Sequence, residues 1–231
     1  MSSPWKLALA GALVALVGVA LGFYLSLRYV PSFYREALRA DPQQQSAASE
    51  QMVAHAMQLN NRLRYDPRWE AEFTQEQING WLAVDLPQNH PELLPPEVKD
   101  PRVWITPEGV YLACRYQTKT LSTVVHILVD AYVTEDHQLA LHLRHVKAGA
   151  VPLPMSDVVE TVGQQASRWN ITLRWAEKDG TPVALLQIPP LRNNRRVVID
   201  SVRLEQGKIS LQGRTVGVQS AGGAPLRVHR Q

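Results

Sequence analysis

With one cysteine, Cys114, in 231 residues, the chain can form neither an intrachain disulfide nor a multi-cysteine metal site. Catalytic signatures are equally scarce. There is no G-x-S-x-G elbow, no phosphate-binding loop, no G-x-G-x-x-G and no H-E-x-x-H, which removes the usual sequence grounds for hydrolase, nucleotide-dependent or zinc-peptidase chemistry. Excess charge is lacking too. Lys and Arg number 24 against 21 Asp and Glu; with Lys6 and Arg28 assigned to the apolar N-terminus, the remainder carries 22 bases and 21 acids. So balanced a domain gives no electrostatic footprint for nucleic acid. The clusters Arg192/Arg195/Arg196 and Arg227/His229/Arg230 read as solvated loop and tail charges, with anionic lipid headgroups as the sharper alternative.

What is present begins at the N-terminus. Leu7 to Leu25 runs without a charge and, at about 1.5 Å per helical residue, matches the roughly 30 Å hydrocarbon core of a bilayer. Phe23, Tyr24 and Tyr29 stand at its distal end, where aromatic rings favour the headgroup region. A cleaved signal peptide would have an apolar core of about 7–15 residues and a small-x-small site. The exit GFYLSLRYV offers no such site, so residues 1–30 are expected to be an uncleaved transmembrane helix, a signal-anchor in contact with the lipid bilayer. Arg28, Arg35 and Arg39 after the run outnumber Lys6 before it, which favours a cytoplasmic domain, although long domains translocate regardless of such charges.

Residues 31–72 are expected to form a juxtamembrane piece and a helical spacer. Met52, Ala56, Leu59 and Leu63 fall on one stripe of a helix over 43–65, and Asp66-Pro67 ends it. A shorter helix follows, with Thr74 as N-cap, Gln77 closing a capping box, and Phe73 and Ile78 as a hydrophobic staple. Ile78, Trp81 and Leu82 face inward, Pro87 stops the helix, and the proline-rich stretch 87–101 reads as a loop. Hairpins come next. One turns at Gly109. A second pairs Val133, Ala131 and Val129 with Leu139, Leu141 and Leu143 on an aliphatic face, with Asp130 opposite His142 on the other. A helix from about Ser156 buries Val158, Val159, Val162, Ala166 and Trp169. Hairpins at Asp179-Gly180 and Gln206-Gly207 close the domain, 73–217, and 218–231 reads as a flexible tail. The expected class is α+β: an N-terminal transmembrane helix, then helices packed on a curved antiparallel sheet of consecutive hairpins.

Candidate chemistry is thin. His142 and His145 resemble a metal-ligand spacing, but three residues apart on a strand they share a face only across a bulge, so they read as surface histidines. Asp130 with His142 could act as an acid–base dyad, yet no nucleophile is placed beside it, and a polar cross-strand pair is the plainer reading. Asn170-Ile171-Thr172 is a glycosylation sequon at a strand start. No catalytic residue, ligand-binding residue, metal site or cofactor is assigned.

The helix TQEQINGWLAVDLP and the stretch VKAGAVPLPMSDVVETV resemble the YpmS-like family of single-pass, membrane-anchored bacterial proteins, on Thr74, Ile78, Asn79, Leu82, Gly149, Leu153 and Pro154. RVVIDSVRLEQGKISLQG resembles the family's closing hairpin; the helical spacer from Gln43 and the prolines around Pro95 depart from it. The resemblance implies an extracytoplasmic domain, with a distant likeness to tubular lipid-binding folds. Two functions are therefore carried forward: a membrane-anchored, non-enzymatic binding module for lipid or another apolar ligand at the envelope, or an assembly scaffold whose spacer helix captures a membrane protein.

Overall fold

The computed structural model describes residues 4–168, 171–191 and 195–217, with side chains from Ala15 onward. Trp169, Asn170, Arg192 and the tail 218–231 lie outside the described residues. The chain is mixed α+β, as its patterning implies, but two parts of the expected architecture are corrected.

The first correction concerns the N-terminus. Helix α1 (Pro4–Leu27) is followed at once by Pro31 and a second helix, α2 (Ser32–Leu38). Among the described residues no single helix is long and apolar enough to cross a membrane; Ala15–Leu27 and Ser32–Leu38 meet that criterion only together, bent by 46°. The expected single transmembrane helix over 1–30 is thus replaced by a broken apolar pair. The helix has already ended at Leu27, and Pro31, without an amide proton, starts α2 in a new direction instead of continuing the ladder. A count of apolar residues does not register that break.

The second correction concerns the sheet. It is not one curved array. Strands β2 (Val98–Thr106), β3 (Gly109–Gln117), β4 (Ser122–Val133), β5 (Leu139–Ala148), β7 (Thr172–Lys178) and β8 (Thr181–Gln187) form an open sheet in the order β2-β3-β4-β5-β8-β7, and the two-residue β6 (Val151–Pro152) also pairs with β5. A separate sheet runs β1-β10-β9, from β1 (Arg68–Thr74), β9 (Arg195–Glu205) and β10 (Lys208–Gly217). The larger sheet does not curl because its end strands never meet, and β8 joins β5 only across Leu139–His142.

The hairpin registers follow the turns. Val133, Ala131 and Val129 pair with Leu139, Leu141 and Leu143, and Asp130 pairs with His142. Leu173 pairs with Leu186, Trp175 with Ala184, Leu204 with Ile209 and Val202 with Leu211. Part of the aliphatic face is covered by protein. Val133 and Leu139 pack on Trp69, Val197 and Ile199 of the smaller sheet, together with Leu59 and Leu63 of α3 (Pro42–Tyr65). Helix α6 (Met155–Arg168) lies lightly on the domain. Ala166 is its buried residue, while Val158, Val159 and Val162 are half-buried.

Helix α4 (Gln75–Ala83) ties these parts together. Thr74 and Gln77 form the expected capping box. Asn79 then does what a neighbouring strand would do for β2: its amide nitrogen donates to Val103 O at 2.9 Å and its carbonyl accepts from Val103 N at 2.8 Å. Gln75 accepts from Ile105 N at 2.8 Å, and Gly207 of the β9–β10 turn donates to Ile105 O at 2.9 Å. The outer edge of β2 is thereby closed by side chains and a turn. On the other side of α4, α3 presses against Gly80, where a Cβ would stand 2.7 Å from Gln45 O and from Ser49 N. The short helix α5 (Asp85–Asn89) and a 3₁₀ turn (Pro91–Leu93) lead through the proline-rich stretch into β2.

Removing Asn79 orphans a donor and an acceptor at a covered edge. Asn79→Ala is expected to cost about 2–3 kcal/mol and Gly80→Ala about 1–3 kcal/mol, against about 1 kcal/mol for Thr74→Ala. Unfolding midpoints of the three variants in detergent check this ranking; Thr74→Ala as the most damaging would contradict it.

Candidate functional site

The Asp130–His142 pair was the sequence's strongest chemical candidate, and the fold adds a third member. His142 is 2% exposed, with Nε2 2.5 Å from Thr181 Oγ1 and Nδ1 3.8 Å from Asp130 Oδ2. Side-chain order alone suggests a hydroxyl–imidazole–carboxylate relay. The hydrogen-bond pattern favours a different arrangement of protons. Lys178 O can only accept, so both contacts of Thr181 Oγ1 are satisfied together when the hydroxyl donates to Lys178 O at 2.7 Å and His142 Nε2 donates to the hydroxyl. A nucleophilic hydroxyl would need the reverse. Asp130 Oδ2 also takes Arg144 Nε at 3.3 Å, while Oδ1 is buried without a partner. The cluster reads as a buried polar strut between β5 and β8. Thr181 could not have been found from the sequence, because nothing local says that β8 rather than β7 lies beside β5.

Across the bulge in β4–β5, His142 faces Asp130 and His145 faces Leu128, so the two histidines do share a face. Among the described residues, however, no group of three or more His, Cys, Asp or Glu side chains could hold a metal ion. Cys114 is half-buried in β3, and burial pushes its thiol up to about 11, which leaves it a poor nucleophile at neutral pH.

A different feature stands out: the junction between α1 and the larger sheet. From Ala15 to Leu25 every side chain of α1 is exposed, Val19 to 74%. Such a helix, apolar on every described side, has no surface suited to water. Among the described residues of α1, the last turn is the part that the domain holds. Ser26 O accepts from Ala150 N at 2.8 Å, and Leu27 O accepts from Thr123 Oγ1 at 2.5 Å. Gly149 makes the approach possible. Its φ is +59°, and a Cβ would lie 2.2 Å from Ser26 O. Arg28 sits over the Tyr24 ring at 4.8 Å, and Tyr29 is exposed beside it.

Helix α2 completes the grip. Tyr34, 1% exposed, packs with Val30 and Phe33 on Ala113 and Val124, and donates to Asp100 O at 2.9 Å. Burial, with Asp100 adding to it, pushes the Tyr34 hydroxyl up to about 12, so it remains a neutral donor. Phe33 stacks on Trp104 at 5.3 Å. Sequence reasoning read residues 31–72 as juxtamembrane piece and spacer; the signal it passed over was the aromatic pair Phe33-Tyr34 in so short a segment.

Gly149→Val would drive a side chain into the α1 carbonyls at a backbone conformation that costs a β-branched residue more than about 1 kcal/mol. The expected result is release of the helix end, read as more than about tenfold faster tryptic cleavage after Arg28; unchanged cleavage would show that the junction does not hold α1. Comparison of the chain with protein-family models, with curated proteins and with solved structures gave no match.

Proposed function

We propose that this chain is a membrane-associated, non-enzymatic binding module that works at the bilayer surface, on the outer side of the bacterial cytoplasmic membrane. The apolar N-terminal pair provides the association. One observation carries the reading: the domain grips the last turn of an exposed apolar helix directly, through Ala150 and Thr123, with no flexible linker. A domain held in this way samples only the layer immediately above the lipid. Its ligand is accordingly a lipid or another amphiphile presented from the bilayer. The resemblance carried by Thr74, Asn79 and Gly149 supports the outer location, and a domain of this size overrides the arginines after α1.

The scaffold reading keeps one specific support. On the outward side of α3, Met57 is 65% exposed beside a shallow hollow of about 510 Å³ lined by Met52, Val53, Ala56 and Trp81. Adaptable methionine surfaces of this kind suit protein partners.

Location is tested with Met57→Cys in a Cys114→Ala background. The chain should stay in the membrane fraction through alkaline carbonate washing, and a membrane-impermeant maleimide should label it in intact spheroplasts. Release by carbonate would mean that the apolar pair is not embedded in lipid, recovery in the soluble fraction before any wash would overturn membrane association, and labelling seen only after lysis would place the domain in the cytoplasm.

A further inference from the structure

Arg102 is 7% exposed, yet it forms no ion pair among the described residues. Of its five N–H donors, one on Nη1 reaches the carbonyl of the adjacent Pro101 at 2.7 Å, and Nε is buried with no partner. The nearest acid in sequence, Asp100, is bound by Arg115. Burial pulls the Arg102 guanidinium below its ordinary value, while Asp100 and Tyr34 act in the opposite sense. A buried charge without a hydrogen-bonded ionic partner is costly to keep.

The backbone holds it there deliberately. The β2–β3 register slips between Lys99 and Arg102, and Asp100 within that bulge sits at φ +49°, a conformation that non-glycine residues seldom adopt. Such bulges re-aim side chains. Arg102 lines a hollow of about 270 Å³ in the proline-rich stretch, with Leu82 and Leu94 as apolar wall, Pro91 and Pro95 beside them, Lys99 as a second cation, and Asp100, already held by Arg115, as the carboxylate among the lining residues. The hollow therefore combines a buried guanidinium without an ion pair, a second cation, a carboxylate engaged by Arg115, and a short apolar wall.

We infer that this hollow binds an oxyanion, phosphate or carboxylate, carried on a small apolar body, with Arg102 as its principal partner. The inference rests on the binding-module reading and gives its ligand a chemistry: the planar guanidinium presents paired donors to a phosphate or carboxylate edge, and Leu82 and Leu94 accept a few methylenes. A free phosphate and a lipid headgroup share that chemistry, so the test uses both kinds of probe.

The full chain in non-ionic detergent, labelled with ¹⁵N, is titrated with inorganic phosphate and with octyl phosphate while the Arg102 Nε–H resonance is followed. Octyl phosphate should shift that resonance saturably and bind at least tenfold more tightly than inorganic phosphate. Arg102→Met should lose at least tenfold in octyl phosphate affinity while remaining folded, since removal of an unpaired buried charge relieves the fold. Arg102→Lys, which keeps the charge without the fork, should fall between. Equal affinity for both probes would retain the oxyanion site and overturn its apolar part. No shift of Arg102 in the wild-type chain, or undiminished binding by Arg102→Met, would overturn the inference outright. Because the readout is at Arg102 in detergent, its failure would leave membrane association and topology standing on their own tests.

Discussion

The last carbonyls of a helix have no partners within that helix, and they must find them elsewhere. At the end of α1 the partners are Ala150 N and Thr123 Oγ1, supplied by the larger sheet. Much of the structure is arranged around that contact. Gly149 removes the one atom that would block it, the start of β4 and the turn after β5 deliver the two donors, and Tyr34 four residues beyond Val30 fixes the chain after it leaves the helix. Near a bilayer, where water competes poorly for such carbonyls, satisfying them from the domain also makes the helix and the domain one mechanical piece.

The domain needs internal stiffness for that coupling to matter, and α4 provides it. Its two faces serve different neighbours: Asn79 and Gln75 close the β2 edge, while Gly80 admits α3 at backbone distance. Gly207 brings the smaller sheet onto the same edge. The His142–Thr181 contact joins β5 and β8 where their ladder is only four residue pairs long. Buried polar groups thus act at the places where strand pairing stops, a role that depends on geometry and not on reactivity.

Local features were legible in the sequence and distant ones were not. The turns at Gly180 and Gly207 set registers that the structure repeats residue for residue in Leu173–Leu186 and Val202–Leu211, and Thr74 with Gln77 announced their helix start. β1 was missed although Trp69, Ala71 and Phe73 alternate, because its partner β10 lies at the far end of the chain. The single anchor over 1–30 was overturned because the described apolar segment qualifies as a span only together with Ser32–Leu38, across a bend, and the curved sheet failed because hairpin patterns say nothing about whether end strands meet. Of the residues that carried the family resemblance, Thr74, Asn79 and Gly149 all hold junctions of the fold. Arg102 was invisible for a different reason. It follows a proline-rich stretch that reads as a linker, and only the bulge at Asp100 turns it inward.

The coupling of α1 to the domain is the claim on which the functional account stands, and the Ala150 amide reports it directly. Hydrogen exchange on the full chain in lipid nanodiscs should find the Ala150 N–H protected to the level of the β4–β5 core, because Ser26 O covers it. Exchange at the rate of an exposed turn, in a chain whose core amides remain protected, would mean that the helix end is free and would contradict the account.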